Sequence, residues 1–148
     1  MASGRLLKLA LRSLDAAARV LPWAKCDTAA HILVARRGEE DAYFWLRRNG
    51  YVMVARNWRT PRLRGEIDLI GWDAGVLCFI EVKTRSSRDL ITAEAAVDHE
   101  KQRALRAVAR DYLRRLKQHP AYRFDVVTIY YDAGRPDIAL IRNAFSRE

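Results

Sequence analysis

The sequence predicts an α/β domain in which a mixed β-sheet is flanked by helices. β-rich segments occupy the middle and the end of the chain, and helical patterns precede and separate them. Short turns join the middle strands, which makes them antiparallel, whereas a long helix before the later strands permits a parallel pairing. With 148 residues, the chain is long enough for one domain with a substantial core.

The first part of the chain is predicted to be helical. Residues 1–30 are basic and partly apolar, and charges such as Lys8 and Arg12 interrupt any signal-peptide apolar run. We interpret this segment as an amphipathic helical extension, separate from an α/β domain over residues 31–148. A second helix is expected from about Ala29 to Asn49, because Gly50 is a typical residue after a helix end.

The later elements follow from apolar periodicity and from turn and capping residues. Asp98 is predicted to cap the long helix, and the stretch before it reads as a loop with a short helix. In chain order, the predicted elements are strands at Tyr51–Trp58, Gly65–Ile70 and Phe79–Arg85, a loop at Ser86–Asp98, a helix from Asp98 to near Gln118, and strands at Arg123–Tyr131 and Ile138–Ile141.

Composition restricts the partner and the compartment. The net charge of +9 favours an anionic partner, most often nucleic acid, although a general solubility role is the alternative. No run reaches the roughly 18 apolar residues needed to cross a membrane, so no membrane partner is expected. The two cysteines, Cys26 and Cys78, lack metal-binding spacing. Cys78 is predicted to be a small buried hydrophobe, and a reducing cytoplasmic setting is expected.

The most informative pattern is D-x₁₂-E-x-K, formed by Asp68, Glu81 and Lys83. A two- or four-residue loop centred on Ala74–Gly75 places Asp68 opposite Glu81, whereas a three-residue loop shifts the register by one. The first register is favoured because it gives one strand face that is wholly apolar. Lys83, two residues after Glu81, points to the same side of the sheet. That apolar face comprises Ile67, Leu69, Gly71, Cys78, Ile80 and Val82.

Two opposed carboxylates predict a bound cation or a shared proton, because like charges on adjacent strands repel. Mg²⁺ and Mn²⁺ prefer oxygen ligands, so Asp68 and Glu81 are candidate metal ligands. Lys83 is a candidate to assist the attacking water or to stabilise charge on a phosphate. The alternative is a surface charge cluster in which Lys83 only neutralises the acids.

Glu39 is a candidate third acid. It shares a helical stripe with Ala35, Ala42, Tyr43 and Leu46, on the side expected to pack, whereas its neighbour in the chain, Glu40, is expected to point outward. An acid on a packed face is costly unless it is paired or bound to a metal. The alternative is that the helix begins at Gly38 and that Glu39 complements the helix dipole.

A series of motifs between residues 36 and 145 resembles the YraN-type bacterial family. That family is largely uncharacterised and is similar to the restriction-endonuclease-like PD-(D/E)xK nucleases, including archaeal Holliday-junction resolvases. In order, the motifs are Gly38–Ala42 with Tyr43 and Leu46, Gly50–Tyr51, Arg56–Arg59, Gly65–Ile70, Phe79–Arg85, Arg123–Val127 and Ala144–Phe145.

The resemblance implies a restriction-endonuclease-like fold and a set of roles. Glu39 matches the acid of the first helix, Asp68 the metal-binding aspartate, and Glu81 and Lys83 the E-x-K pair. Gln102 matches a glutamine that some relatives of this fold carry on the following helix. Asp125 belongs to a family-like segment, although a strand aspartate can equally be a structural hydrogen-bond acceptor.

The predicted function is a Mg²⁺- or Mn²⁺-dependent endonuclease of DNA, acting on branched or damaged forms. Resolution of a junction requires paired cuts and would therefore call for a homodimer. One alternative is a non-catalytic nucleic-acid-binding module on the same fold. Another is a partner-binding protein that acts through its N-terminal helix. The predicted nucleic-acid contacts are Arg62, Arg64, Arg85, Lys101 and Gln102.

Overall fold

The computed structural model describes residues 26–85, 97–132 and 135–148. The predicted extension over residues 1–30 and the predicted loop after Ser86 lie largely outside these ranges. In the described residues, no helix is long and apolar enough to cross a membrane. The elements are α1 (Cys26–Arg48), β1 (Val52–Arg59), β2 (Glu66–Asp73), β3 (Val76–Arg85), α2 (His99–Arg114), β4 (Tyr122–Asp132) and β5 (Arg135–Phe145).

The residues from Arg37 to Glu148 form one compact unit around a five-stranded sheet. The strands lie in the order β1-β2-β3-β4-β5, and every neighbouring pair is antiparallel except β3 and β4, which are parallel. The helix α2 is the crossover that a parallel pair requires. The predicted α/β fold, a restriction-endonuclease-like mixed sheet flanked by helices, is confirmed.

The β2–β3 hairpin has the register that the sequence predicts. Its turn consists of Ala74 (φ 47°) and Gly75 (φ 85°), a two-residue loop of the kind that suits strand twist. Asp73 pairs with Val76, and the ladder continues in the same register to Leu69 opposite Ile80. The next positions along these strands are Asp68 and Glu81.

The apolar alternation of β2 breaks next to Asp68. The ladder between β2 and β3 ends at Leu69, and Ile67 packs in the same cluster as Ile70 rather than with Leu69. The predicted shared face for Ile67 and Leu69 is therefore wrong. Regular pairing is what forces side chains to alternate, and that pairing stops here.

The sheet has a hydrophobic core on each face. Alternate β3 residues divide between the cores, because Phe79 packs on the α2 side and Ile80 on the α1 side. Each fully buried side chain of this size stabilises the fold by about 1.5–3 kcal/mol. The α2-side core includes Ile70, Leu77, Leu105, Val108, Phe124 and Phe145; the α1-side core includes Ala42, Leu46, Leu69, Cys78, Val127 and Ile129.

Two polar or weakly polar groups in the core are structural. Cys78 is fully buried with a free thiol, as predicted, and burial raises the pKa of that thiol to about 12. Asp125 is fully buried and accepts hydrogen bonds from Arg123 Nε and from the Asn143 main-chain N, each at 2.9 Å. The structural interpretation of Asp125 is therefore confirmed.

The helix α2 begins as predicted but ends sooner. Asp98 caps it and accepts a hydrogen bond from the Lys101 main-chain N at 2.8 Å. The helix ends at Arg114 rather than near Gln118, because the Leu116 main-chain N bonds to the Leu113 carbonyl, which tightens the last turn. The apolar periodicity continues to Leu116, so the sequence does not reveal this change in pairing.

The last strand is longer than the sequence predicts. β5 runs over Arg135–Phe145, whereas the apolar pattern covers only Ile138–Ile141. Among the described strands, β5 lies at the edge of the sheet and pairs only with β4, and this pairing extends it through polar residues.

Gly38 is buried where α1 packs on β3, because a Cβ at this position would collide with Thr84 Oγ1. We therefore expect Gly38→Ala to lower the free energy of unfolding by about 1–2 kcal/mol. This is a net loss, because the collision costs more than the roughly 1 kcal/mol by which Ala favours a helix over Gly. Urea denaturation of both proteins measures the difference.

The control for Gly38→Ala is the same change in a Thr84→Ala background. The nearest remaining side-chain atoms would be the residue 84 Cβ at 3.6 Å and Ile129 Cδ1 at 3.8 Å, which are ordinary contacts. Gly38→Ala should then be neutral or stabilising. An equal loss in both backgrounds would show that the hydroxyl is not the cause.

Candidate active site

Glu81 is a buried carboxylate held by two lysines from different elements. Its side chain is only 4% exposed, and Lys83 Nζ on β3 lies 2.9 Å from Glu81 Oε1. Lys101 Nζ on α2 lies 3.3 Å from Oε2. Oε2 is within ion-pair distance of Lys101 but makes no well-formed hydrogen bond. One carboxylate oxygen therefore retains unused capacity for a cation or a donor.

Asp68 lies beside Glu81 at the point where β2 and β3 stop pairing. It is 7% exposed, and its Oδ2 accepts a hydrogen bond from the Val82 main-chain N at 2.8 Å. The carboxylate thus replaces a main-chain acceptor at the end of the ladder. Burial and the negative charge of Glu81 raise the pKa of Asp68 well above its usual range, to about 7.

Glu39 approaches this pair from α1. Its Oε2 accepts a hydrogen bond from Asn57 Nδ2 at 2.8 Å, and its charge contributes to the raised pKa of Asp68. Asn57 has φ 48° within β1, a left-handed conformation that Asn tolerates better than most residues. Three acids from α1, β2 and β3 therefore influence one region.

The expected orientation of Glu40 is wrong. Glu40 is 7% exposed and counts among the buried charged residues, while Glu39 is only half-buried. Gly38, Asp41 and Ala42 are buried as well, so this turn of α1 is enclosed on several sides rather than along one stripe.

In EDTA, Asp68→Asn is expected to be more stable than the wild type above pH 7. A carboxyl whose pKa is raised in the folded state stabilises the fold when it is protonated. That stability is complete below about pH 4 and is lost as the pH rises to about 7. The advantage of Asn should therefore grow between these values, by at most about 1.4 kcal/mol per pH unit.

Urea denaturation of the two proteins at pH 4.5, 6 and 8 measures this advantage. Asn keeps an oxygen that can accept from the Val82 main-chain N, so the comparison isolates the charge. A difference in stability that does not vary with pH would contradict the raised pKa of Asp68.

The donors at this site fit Mg²⁺ or Mn²⁺ through two carboxylates. Within residues 26–85, 97–132 and 135–148, no three His, Cys, Asp or Glu side chains are arranged to bind one ion together. Mg²⁺ nevertheless commonly binds through one or two carboxylates, with water and substrate phosphate completing its shell. Asp68 and Glu81 meet that requirement, and the unused Glu81 Oε2 is the available oxygen. Glu39 is held separately by Asn57.

The other predicted nucleic-acid contacts lie in different surroundings. Arg62 and Arg64 are exposed in the loop between β1 and β2, and Arg85 is half-buried at the end of β3. Gln102 is buried; its Nε2 donates to the Val97 carbonyl at 2.8 Å and its Oε1 accepts from Arg106 at 3.3 Å. A contact between Gln102 and nucleic acid would require these bonds to break.

Sequence reasoning missed two contacts at the site. Asn57 belongs to the motif Arg56–Arg59, but no role is predicted for it from the sequence. The available signal was that Asn is uncommon in strands, so its presence in a β-rich run indicates an irregular backbone. Lys101 was assigned to nucleic acid, yet it pairs with Glu81. The helix α2 is the crossover that follows β3, and Lys101 in its first turn reaches Glu81.

Comparison with known proteins shows the family. Residues 38–129 match a model of the uncharacterised protein family UPF0102. The UPF0102 protein of Koribacter versatilis is 53% identical over 138 residues, which cover 93% of each chain. UPF0102 proteins of Solibacter usitatus and Symbiobacterium thermophilum are 50% and 46% identical, over 74% and 76% of this chain and 83% and 95% of their own. The resemblance to the YraN-type family is confirmed: this chain belongs to the uncharacterised protein family UPF0102.

Proposed function

We propose that this protein is a Mg²⁺- or Mn²⁺-dependent endonuclease that hydrolyses DNA phosphodiesters, with branched or damaged DNA as its substrate. The main support is the pair of buried carboxylates, Asp68 and Glu81, with Lys83 Nζ 2.9 Å from Glu81. Burying two acids side by side costs stability, and such sites are often functional. A bound cation would offset that cost.

The proposed roles follow from the chemistry of each group. Asp68 and Glu81 would hold the metal, and Glu39 would serve as an outer or second-metal ligand. When bound, the metal would supply a Lewis acid beside the scissile phosphate. Lys83 would orient the attacking water and stabilise the negative charge that develops on the phosphate oxygens. Lys101 adds a second positive charge from α2.

Positive charge outside the carboxylate pair would hold the substrate. Arg62, Arg64 and Arg85 are proposed to contact phosphate oxygens, which position the backbone without reading its sequence. The cytoplasm is the proposed compartment, in keeping with the buried free thiol of Cys78. Cutting both strands of a junction would require two copies of the chain, so a homodimer is part of the proposal for branched DNA.

The second candidate is a non-catalytic nucleic-acid-binding module on the same fold. It is favoured by one observation: two lysines already neutralise Glu81. In that case Asp68, Glu81 and Lys83 are a structural charge cluster, and the basic surface alone is functional.

The test is a panel of labelled duplex, single-stranded, flapped and four-way-junction DNA, incubated with Mg²⁺, Mn²⁺ or EDTA. The nuclease proposal expects cleavage of at least one form with metal and none with EDTA. Binding to DNA without cleavage in either metal would refute the nuclease and support the binding module. Absence of both binding and cleavage would refute the two candidates together.

A further inference from the structure

A basic groove lies between the loop after β1 and the C-terminal end of α2. It has a volume of about 530 Å³. Three of its lining residues are arginines and one is an acid. The lining residues are Thr60, Pro61, Arg62, Asp111, Arg114 and Arg115.

Two of the arginines in the groove keep their charge available for a ligand. Asp111 is already paired with Arg115, with 2.9 Å between Asp111 Oδ2 and Arg115 Nη2. This pairing with Arg115 is the main cause of the lowered pKa of Asp111. Arg62 and Arg114 are exposed, and neither has an ion-pair partner in the described part of the chain. The groove therefore carries an excess of two positive charges.

The groove is also held in place before any ligand binds. The Arg115 guanidinium lies over the Trp58 ring, 5.2 Å from its centroid, and Trp58 packs edge-on against Tyr112 at 5.1 Å. Thr60 is 4% exposed. Its hydroxyl lies near Asp111 and adds to the lowering of the Asp111 pKa, but it makes no well-formed hydrogen bond. An ordered guanidinium is a donor that suits an oxyanion.

We propose that this groove binds a phosphate of a nucleic-acid backbone, at a distance from the scissile phosphate. Guanidinium groups match the oxygens of a phosphodiester, and arginine is the preferred residue for that contact. A free nucleotide is a poorer fit, because none of the residues that line the groove is aromatic and the Trp58 ring is covered by Arg115, so a base has no platform on which to stack. The groove therefore positions the backbone without reading bases.

The helix α2 connects the groove to the candidate active site. Lys101, which pairs with Glu81, and Arg114 in the groove are thirteen residues apart on this helix. That spacing corresponds to a rise of about 20 Å, or roughly six base pairs of B-form DNA. The link to cleavage rests on the proposed nuclease function, whereas binding in the groove does not require catalysis.

The test compares two double substitutions that each remove two positive charges. Arg62→Gln/Arg114→Gln removes the available charges of the groove. Arg47→Gln/Arg48→Gln removes the same charge from the exposed last turn of α1. Affinity for a labelled twelve-base-pair duplex, long enough to reach both places, is measured by fluorescence anisotropy in EDTA between 50 and 300 mM salt.

The groove variant is expected to bind roughly tenfold more weakly and to reduce the salt slope by about 1, because one phosphate contact is lost. The control should stay within about threefold of the wild type. An equal loss of DNA affinity in both variants, or no binding of the wild type to DNA, would overturn the proposed role of the groove. Groove-dependent binding to anionic lipid vesicles or to inorganic phosphate that is as tight as binding to DNA would also overturn the proposal. EDTA prevents cleavage, so this assay measures binding alone. If the groove binds DNA but the protein cuts no DNA with metal, only the nuclease proposal is refuted.

Discussion

Replacement of Lys83 by Met is expected to lower the rate of metal-dependent DNA cleavage by about 10²–10⁴-fold. Lys83 Nζ lies 2.9 Å from Glu81 Oε1, so its charge is held beside the carboxylates. Met keeps the length of the side chain but provides neither a donor nor a positive charge for the developing phosphate charge. Glu81→Gln should cause a loss of similar size, because it removes one of the two acids proposed to hold the metal. Initial rates under single-turnover conditions measure both effects.

Lys117→Met is the matched control for Lys83→Met, since Lys117 is exposed beyond the end of α2. It should cleave within about threefold of the wild-type rate. DNA affinity in EDTA should change little in the Lys83 and Glu81 variants, which separates chemistry from binding. Urea denaturation checks that each variant folds. If both site variants retain more than a tenth of the wild-type rate, these residues are not catalytic.

Mg²⁺ at 100 times its Kd is expected to stabilise the wild-type protein by about 2.7 kcal/mol, a rise in Tm of roughly 5–10 °C. Asp68→Asn should lose most of this gain, because the acid at position 68 is one of the two proposed metal ligands. The same variant is predicted to be the more stable protein in EDTA at pH 8. The two melting temperatures should therefore converge, or their order should reverse, when metal is added.

Lys101→Met is expected to have the opposite effect on metal binding. Lys101 Nζ lies 3.3 Å from the Glu81 oxygen that has unused capacity, so its charge competes with a divalent cation. Removing that charge should tighten Mn²⁺ binding roughly tenfold. Calorimetric titration of Mn²⁺ into the wild type, Asp68→Asn, Lys101→Met and Lys117→Met measures these effects. A Mn²⁺ affinity that is the same in all four proteins would exclude a metal site at Asp68 and Glu81.

Much of the fold could be predicted because its signals are local. The turn at Ala74–Gly75 sets the hairpin register, and a one-residue slip would have mixed polar and apolar side chains on one face. Asp98 marked the start of α2, because a capping carboxylate needs only the residues of the first turn. Element ends were less predictable, as in β5, where pairing with β4 extends the strand through residues without an apolar pattern.

The sequence by itself determined that Asp68 and Glu81 would be neighbours, since strand alternation and turn length are properties of a short stretch of chain. It also placed Lys83 beside them. Only the tertiary structure decided that Lys101 reaches Glu81 from α2 and that Asn57 holds Glu39. Those contacts join residues about twenty positions apart on different elements. They depend on how helices pack against the sheet, which no local periodicity specifies.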